Sequence, residues 1–295
     1  VIGEVRAGES AAQLTIEAGQ AVAITTGAPM PSGADAVLMV ELSERPDDTT
    51  VLVCGAVSPG KHVGPIGEDV PLGATVLSKG RLLRPQDAGI IASIGVGQIE
   101  VVRRPRVDIV ITGNELLAPG SVPTDSSIVD SNSVVLSALV ERDGGQPRVV
   151  RIVDGAPELE AALAGDADVV LISGGSSVGP EDHAPRVVAK VGELAVHGVA
   201  MRPSSPAGFG FIGARVVFLL PGNPVSCLCA YEFFAGPSIR ALGGRPRRWP
   251  HRRIQRPMAS KLVSQLGRTD YTRVRVDDAG VHPIMTSGAS LLSST

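Results

Sequence analysis

"VVLISGGSSVGPEDH", residues 169–183, decides the reading of this chain. Val169 to Ser173 has the length and β-branched bias of a strand buried on both faces. The run stops at Gly174 and Gly175, where the backbone can turn tightly and approach a ligand closely. Ser176 and Ser177 follow, then Glu181, Asp182 and His183. Pro180 suits the first turn of a helix.

The same texture extends outward on both sides. "RVDIVIT" (106–112), "PRVVRIV" (147–153) and "ARVVFLL" (214–220) are also short apolar runs. "DSNSVVLSALVERDGG" (130–145), "APELEAALAG" (156–165) and "VSCLCAYEFFAG" (225–236) read as helices. Ser131 or Asn132 can cap the first of them, and Gly144-Gly145 stops it. Strands alternating with amphipathic helices predict a mostly parallel sheet covered on both faces. Residues 194–213 interrupt the alternation.

The flanks differ. Residues 1–75 read as a β-rich domain, with "AVAIT", "AVLMV" and "TVLVCGAV" as its strands. Residues 76–103 read as a connector, part of a linker domain, with a short helix in "RPQDAGIIASIG". The α/β domain covers 104–244. Residues 245–295 read as a small C-terminal β domain, with a hairpin in "YTRVRVDDAGVHPIM". The fold class is thus multi-domain α/β.

Composition narrows the function. The 295 residues are 43% hydrophobic, enough for a sizeable core, and only 3% aromatic, so that core is aliphatic. A net charge of −3 gives no global attraction to nucleic acid or membrane. Cys54, Cys227 and Cys229 make no CxxC pair and read as free thiols of a cytoplasmic protein. The arginines of "RPRRWPHRRIQR" (245–256) read as a solvated linker.

In an open α/β sheet, ligands bind beyond the carboxyl ends of the strands. Four loops reach that edge here. One carries Thr112, Gly113 and Glu115, and the next carries Asp154. The third carries Ser173, Gly174, Gly175, Ser176, Ser177 and Asp182, and the last Pro221, Gly222 and Asn223. Backbone N–H groups of the Gly-rich turn, with the serine hydroxyls, suit a phosphate. Carboxylates around a phosphate repel it unless a hard cation such as Mg²⁺ lies between them. Glu115 and Asp182 are therefore read as metal ligands. Asp154 is read either as a third site acid or as a turn residue beside Gly155. His183 reads as polar surface, and Cys227 and Cys229 as core residues.

"TGAPMPSGADAV", "GEDV", "TGNELLAPG", "VDSNS", "SGGSSVGPEDH" and "LLPGNPVS" occur in this order. Together they resemble the molybdopterin molybdenumtransferase family, MoeA and the gephyrin E domain, over nearly the whole chain. The resemblance implies an enzyme of molybdenum cofactor biosynthesis. It would bind adenylylated molybdopterin, hydrolyse the phosphoanhydride with a divalent cation, release AMP and insert molybdate. The implied catalytic acids are Asp69, Glu115, Asp154 and Asp182. Thr26 and Arg273 are implied at the ligand cleft. A homodimer is implied too, with Thr26 and Asp69 acting across the interface, as is a molybdopterin adenylyltransferase as partner.

The chain departs from the family pattern at "MRPSSP" (201–206), where "KPGKP" is usual. Arg202 keeps a cation there, and Ser205 loses one. Asn114 replaces the usual aspartate of "TGDEL", and the segment bearing the family's "DGYA" motif is not in this chain. A MoeA-like paralogue that binds pterin or acts as a scaffold without insertion is the alternative. No G-x-G-x-x-G with an acid at the next strand end points to a dinucleotide enzyme.

Overall fold

The computed structural model describes residues 1–152, 154–175, 183–285 and 292–294. By packing, the chain divides into two units. One is Val1–Lys79 with Pro85–Ile94, the other Gly80–Arg84 with Gly95–Thr295.

The first unit is held by turns more than by strands. β1 (Gly3–Val5) pairs in parallel with β2 (Val22–Ile24), and β3 (Ser43–Glu44) pairs antiparallel with β4 (Leu52–Val53). "AVLMV" is not a strand. Its last residue begins a 3₁₀ turn, Val40–Leu42, and the Val37 N–H bonds to the Lys61 carbonyl at 3.0 Å outside any strand. Frequent glycine and proline stop each apolar run before a ladder can lengthen. The helix expected in the connector is α1, Pro85–Ser93.

The second unit carries the central sheet. In chain order its elements are β5 (Arg106–Thr112), β6 (Leu116–Leu117), β7 (Ile128–Val129) and α2 (Asn132–Arg142). Then come β8 (Gln146–Ile152), α3 (Ala156–Leu163), β9 (Val169–Ser173) and α4 (Ala184–Val191). β10 (Glu193–His197), β11 (Met201–Arg202), β12 (Gly208–Ile212) and β13 (Arg215–Leu220) follow. α5 (Pro224–Ala230) passes through a π-helical turn, Tyr231–Ala235, into α6 (Gly236–Leu242). β14 (Thr269–Asp270) pairs with β11, and β15 (Arg273–Asp277) forms the expected hairpin with β16 (Gly280–Met285).

Six strands lie in the order β10-β12-β13-β9-β5-β8. β13, β9, β5 and β8 run parallel, and β12 is antiparallel to both its neighbours. The sheet is mixed α/β and mostly parallel, as the sequence predicts. The alternation of side chains sorts its residues into two cores. Val107, Ile109, Ile111, Leu171 and Phe218 pack against Leu136 and Val140 of α2 and the α5–α6 helices. Val110, Val170, Ile172, Val217 and Leu219 pack against α3 and α4. Each fully buried Val, Leu or Ile contributes about 1.5–3 kcal/mol. The interruption at 194–213 proves to be β10, β11 and β12. Glycine at 208 and 210 fits these strands because a Cβ at either would meet the facing backbone of β10. Among the described residues, no helix is long and apolar enough to cross a membrane.

Candidate functional site

β5 lies between β8 and β9, and the helices after β5 and β9 leave to opposite faces. The carboxyl ends of β5 and β9 therefore flank a topological switch point, the place where such sheets open a crevice. Register sets the tips level, with Ile111 and Leu220 both opposite Ser173. Gly174 occupies the meeting point of three turns. Its φ is +100°, and a Cβ there would stand 2.4 Å from the Thr112 carbonyl oxygen. A Cβ on Gly222 would stand 3.8 Å from the Gly174 Cα. At 174 only glycine allows main chain to close on main chain, the Gly222 contact being an ordinary one, and Gly175 also has a positive φ, 56°.

The β5 turn is tied to the β8 turn through Asp154. The Thr112 hydroxyl donates to Asp154 Oδ1, and the Asn114 N–H donates to Oδ2 at 3.3 Å. The Asp154 N–H in turn donates to Asn114 Oδ1 at 3.2 Å. These bonds give Asp154 a part in holding the two turns together. Glu115 is exposed, and its carbonyl accepts from the Ile128 N–H at 2.9 Å, pinning it to the β6–β7 pair. Gly113 gives its side chain room, for a Cβ there would lie 2.9 Å from Glu115 Oε2.

Ser173 does not present its hydroxyl to the crevice. The residue is buried, its Oγ accepts from Asn132 Nδ2 at 2.9 Å, and Cys227 Sγ lies 3.9 Å away. Pro221 is buried, while Gly222 and Asn223 are exposed at the start of α5. Ser176, Ser177 and Asp182 lie outside the described residues. Arg202 Nε stands 3.1 Å from Asp270 Oδ1, across the β11–β14 pair. Arg268 Nε reaches the same oxygen at 3.1 Å. Ser205 is exposed. Arg273 opens β15 and lies close enough to Cys229 for its charge to act on that thiol. Thr26 and Asp69 are exposed on the first unit.

Three polar residues near the edge make contacts that the sequence reading did not name. Asp130 Oδ1, rather than a side chain of Ser131, caps α2 by accepting from the Ser133 N–H at 2.9 Å. Arg151 Nη2 pairs with Asp130 Oδ2 at 2.9 Å. Asn132 reaches two of the turns. In the sequence Asp130 and Asn132 lie in the polar string "VDSNS" ahead of an apolar helix, and nothing in "PRVVRIV" marks Arg151. Deeper in, Arg142 bridges Glu232 and Asp143. Tyr231 donates to Asp143 at 3.0 Å and has its pKa raised by burial, so this cluster holds α2 against α5 and α6.

Among the described residues, no three His, Cys, Asp or Glu side chains gather around a common point that could hold a metal ion. The Glu115 side chain makes no hydrogen bond or ion pair with the described residues. Magnesium asks for little more, since it takes one or two carboxylates together with substrate phosphates.

Residues 3–95 match the family model of the MoeA N-terminal region, domains I and II, and residues 108–241 match that of a probable molybdopterin binding domain. A molybdopterin molybdenumtransferase 2 of Mycobacterium tuberculosis is 36% identical over 276 residues, covering 90% of this chain and 67% of its own. A putative molybdopterin biosynthesis protein of Methanocaldococcus jannaschii is 34% identical over 288 residues, covering 94% and 69%. The crystal structure of a molybdopterin biosynthesis MoeA protein from Pyrococcus horikoshii superimposes with a TM-score of 0.78 at 30% identity, covering 100% and 73%.

Proposed function

The chain belongs to the MoeA family of molybdenum cofactor biosynthesis, and on that premise we propose that it takes adenylylated molybdopterin, releases AMP and inserts molybdate. It is a transferase, like the relatives named molybdopterin molybdenumtransferase. The observation that carries the substrate reading is the meeting of three turns at Gly174. A phosphorylated pterin lying there would be held against the main chain of the Gly174–Gly175 turn and positioned by the loops after β5 and β13.

The protein's part is orientation and electrostatics, since the dithiolene sulfurs of the pterin are the ligands of the inserted metal. Glu115 and Asp182 would hold a magnesium ion, which when bound supplies charge neutralisation at the phosphoanhydride. Asp154 keeps the Thr112–Gly113 turn in place against β8. Thr26 and Asp69 are proposed to complete the cleft in a homodimer, each acting on the site of the partner subunit. Arg273 is proposed at the same cleft, and Arg202 and Ser205 at the anion site. A cytoplasmic location and transfer of the substrate from a molybdopterin adenylyltransferase complete the reading. The paralogue alternative is not favoured, since the relatives bear the enzyme's name.

Cation-dependent release of AMP from adenylylated molybdopterin tests this directly. Asp182→Asn and Glu115→Gln should each fold normally and lose that release. Turnover at the wild-type rate in either variant would remove that residue from the site. Rescue of molybdoenzyme activity in cells lacking their own molybdenumtransferase separates the enzyme from a pterin-binding scaffold.

A further inference from the structure

Asn132 opens α2 and is buried. Its Nδ2 lies 2.9 Å from Ser173 Oγ at the tip of β9 and 2.8 Å from the Gly222 carbonyl oxygen beyond the tip of β13. A carbonyl oxygen can only accept, so the atom facing Gly222 is the amide NH₂, and the side chain has one permitted orientation. Both of its N–H bonds are then committed, one to each turn. The β9–β13 ladder ends at the Ser173–Leu220 pair, and past it the two chains separate. Beyond that point the Gly174 N–H reaches the Leu220 carbonyl only at 3.3 Å. The two bonds from Asn132 are the shorter link between these turns.

We infer that Asn132 is a positioning residue of the pterin site, clamping the 173–175 turn to the 221–223 turn so that their main chain is set before substrate arrives. The inference rests on the pterin reading above. The clamp also fixes the polarity of Ser173. Because the serine oxygen accepts from Asn132, its own proton must point elsewhere, and the nearby Cys227 sulfur is a weak acceptor. A carboxylate in place of the amide would reverse this. It would take the Ser173 proton and turn an acceptor toward the Gly222 carbonyl, where no bond can form. The charge itself suits the first turn of a helix, so Asn132→Asp separates the clamp from the stability of α2.

Asn132→Asp and Asn132→Ala are compared with wild type by amide hydrogen exchange, thermal melting and anaerobic binding of adenylylated molybdopterin. We expect amides of 174–175 and 222–223 to exchange faster by about tenfold in both variants, with the interior of β5 and β9 unchanged. Affinity should fall by about tenfold. Exchange that stays at the wild-type rate, or that rises in parallel throughout the sheet, overturns the clamp. Faster exchange with unchanged affinity overturns the positioning role. If wild type itself fails to bind the pterin, the reading of the site falls, and the exchange rates alone decide the clamp. Asn132→Asp carries the test should Asn132→Ala not fold.

Discussion

Arg202 and Asp270 face each other across the short β11–β14 ladder, with Nε 3.1 Å from Oδ1. The same carboxylate accepts from Ser264 Oγ at 2.7 Å and lies 3.1 Å from Arg268 Nε. The Ser264 hydroxyl, with the two guanidinium charges, holds the Asp270 carboxyl below the usual carboxylate range. The cation expected to hold an anionic substrate group is therefore already paired.

Removing that charge should release it. Asp270→Asn is expected to raise the affinity for molybdate by about threefold to tenfold, measured by isothermal titration with melting followed in parallel. Ser205→Lys, which adds back the cation missing from "MRPSSP", should act in the same direction. No change in either variant would place the anion away from this corner.

Ser204 has a φ of 94° where the family pattern has glycine, is buried, and donates through Oγ to the Ser226 carbonyl at 2.5 Å. Ser204→Ala keeps the unfavourable backbone and loses the bond, at a cost of about 1–2 kcal/mol. Ser204→Gly loses the bond but relieves the backbone, and should stay within about 1 kcal/mol of wild type. Urea denaturation of the two variants checks the order; equal losses would mean that the backbone there carries no strain.

Asp168 accepts from Arg103 at 2.6 and 2.7 Å and from the Arg106 N–H at 2.7 Å. The Arg103 guanidinium above all, with the Arg106 N–H, takes its carboxyl from 3.8 down to about 2. Since the folded value is the lower one, the stabilisation is full above pH about 4 and disappears as pH falls through about 2. The pair is partly exposed, so its worth is discounted to about 1 kcal/mol. Asp168→Asn should lose that much at pH 7 and converge on wild type near pH 2; a gap independent of pH would point to packing instead.

Cys227 and Cys229 are buried, and burial pushes both thiols up to about 12. Cys54 is exposed. Alkylation of the folded protein at neutral pH should mark Cys54 alone, because the thiolate is the nucleophile. Mass spectrometry should find all three modified only after unfolding. Rapid labelling of Cys227 in the native state would mean that the core under the Ser173 turn opens.

The sequence by itself determined the α/β alternation, the strand over Arg106–Thr112 and the helix beginning at Ala156. Period-two and helical patterns record which side of an element is buried, and that is a local property. It also determined that the 173–175 turn needs glycine, because a strand that ends in Gly-Gly must turn. The strand at Gly208–Ile212 escaped, since glycine stands where an apolar residue would have marked a strand, and the one at Glu193–His197 begins and ends on a polar residue. "AVLMV" misled for the opposite reason, an apolar run with no partner to form a ladder.

Tertiary structure alone decided who meets whom. Arg202 and Asp270 are 68 residues apart and Asn132 and Gly222 are 90 apart, and nothing in either segment names its partner. That Thr112 and Asn114 donate to Asp154 is likewise visible only in the closed chain. A side chain's chemistry is written in its own residue, but whether that chemistry is spent inside the fold or left for a ligand depends on groups that only the closed chain brings within hydrogen-bond reach.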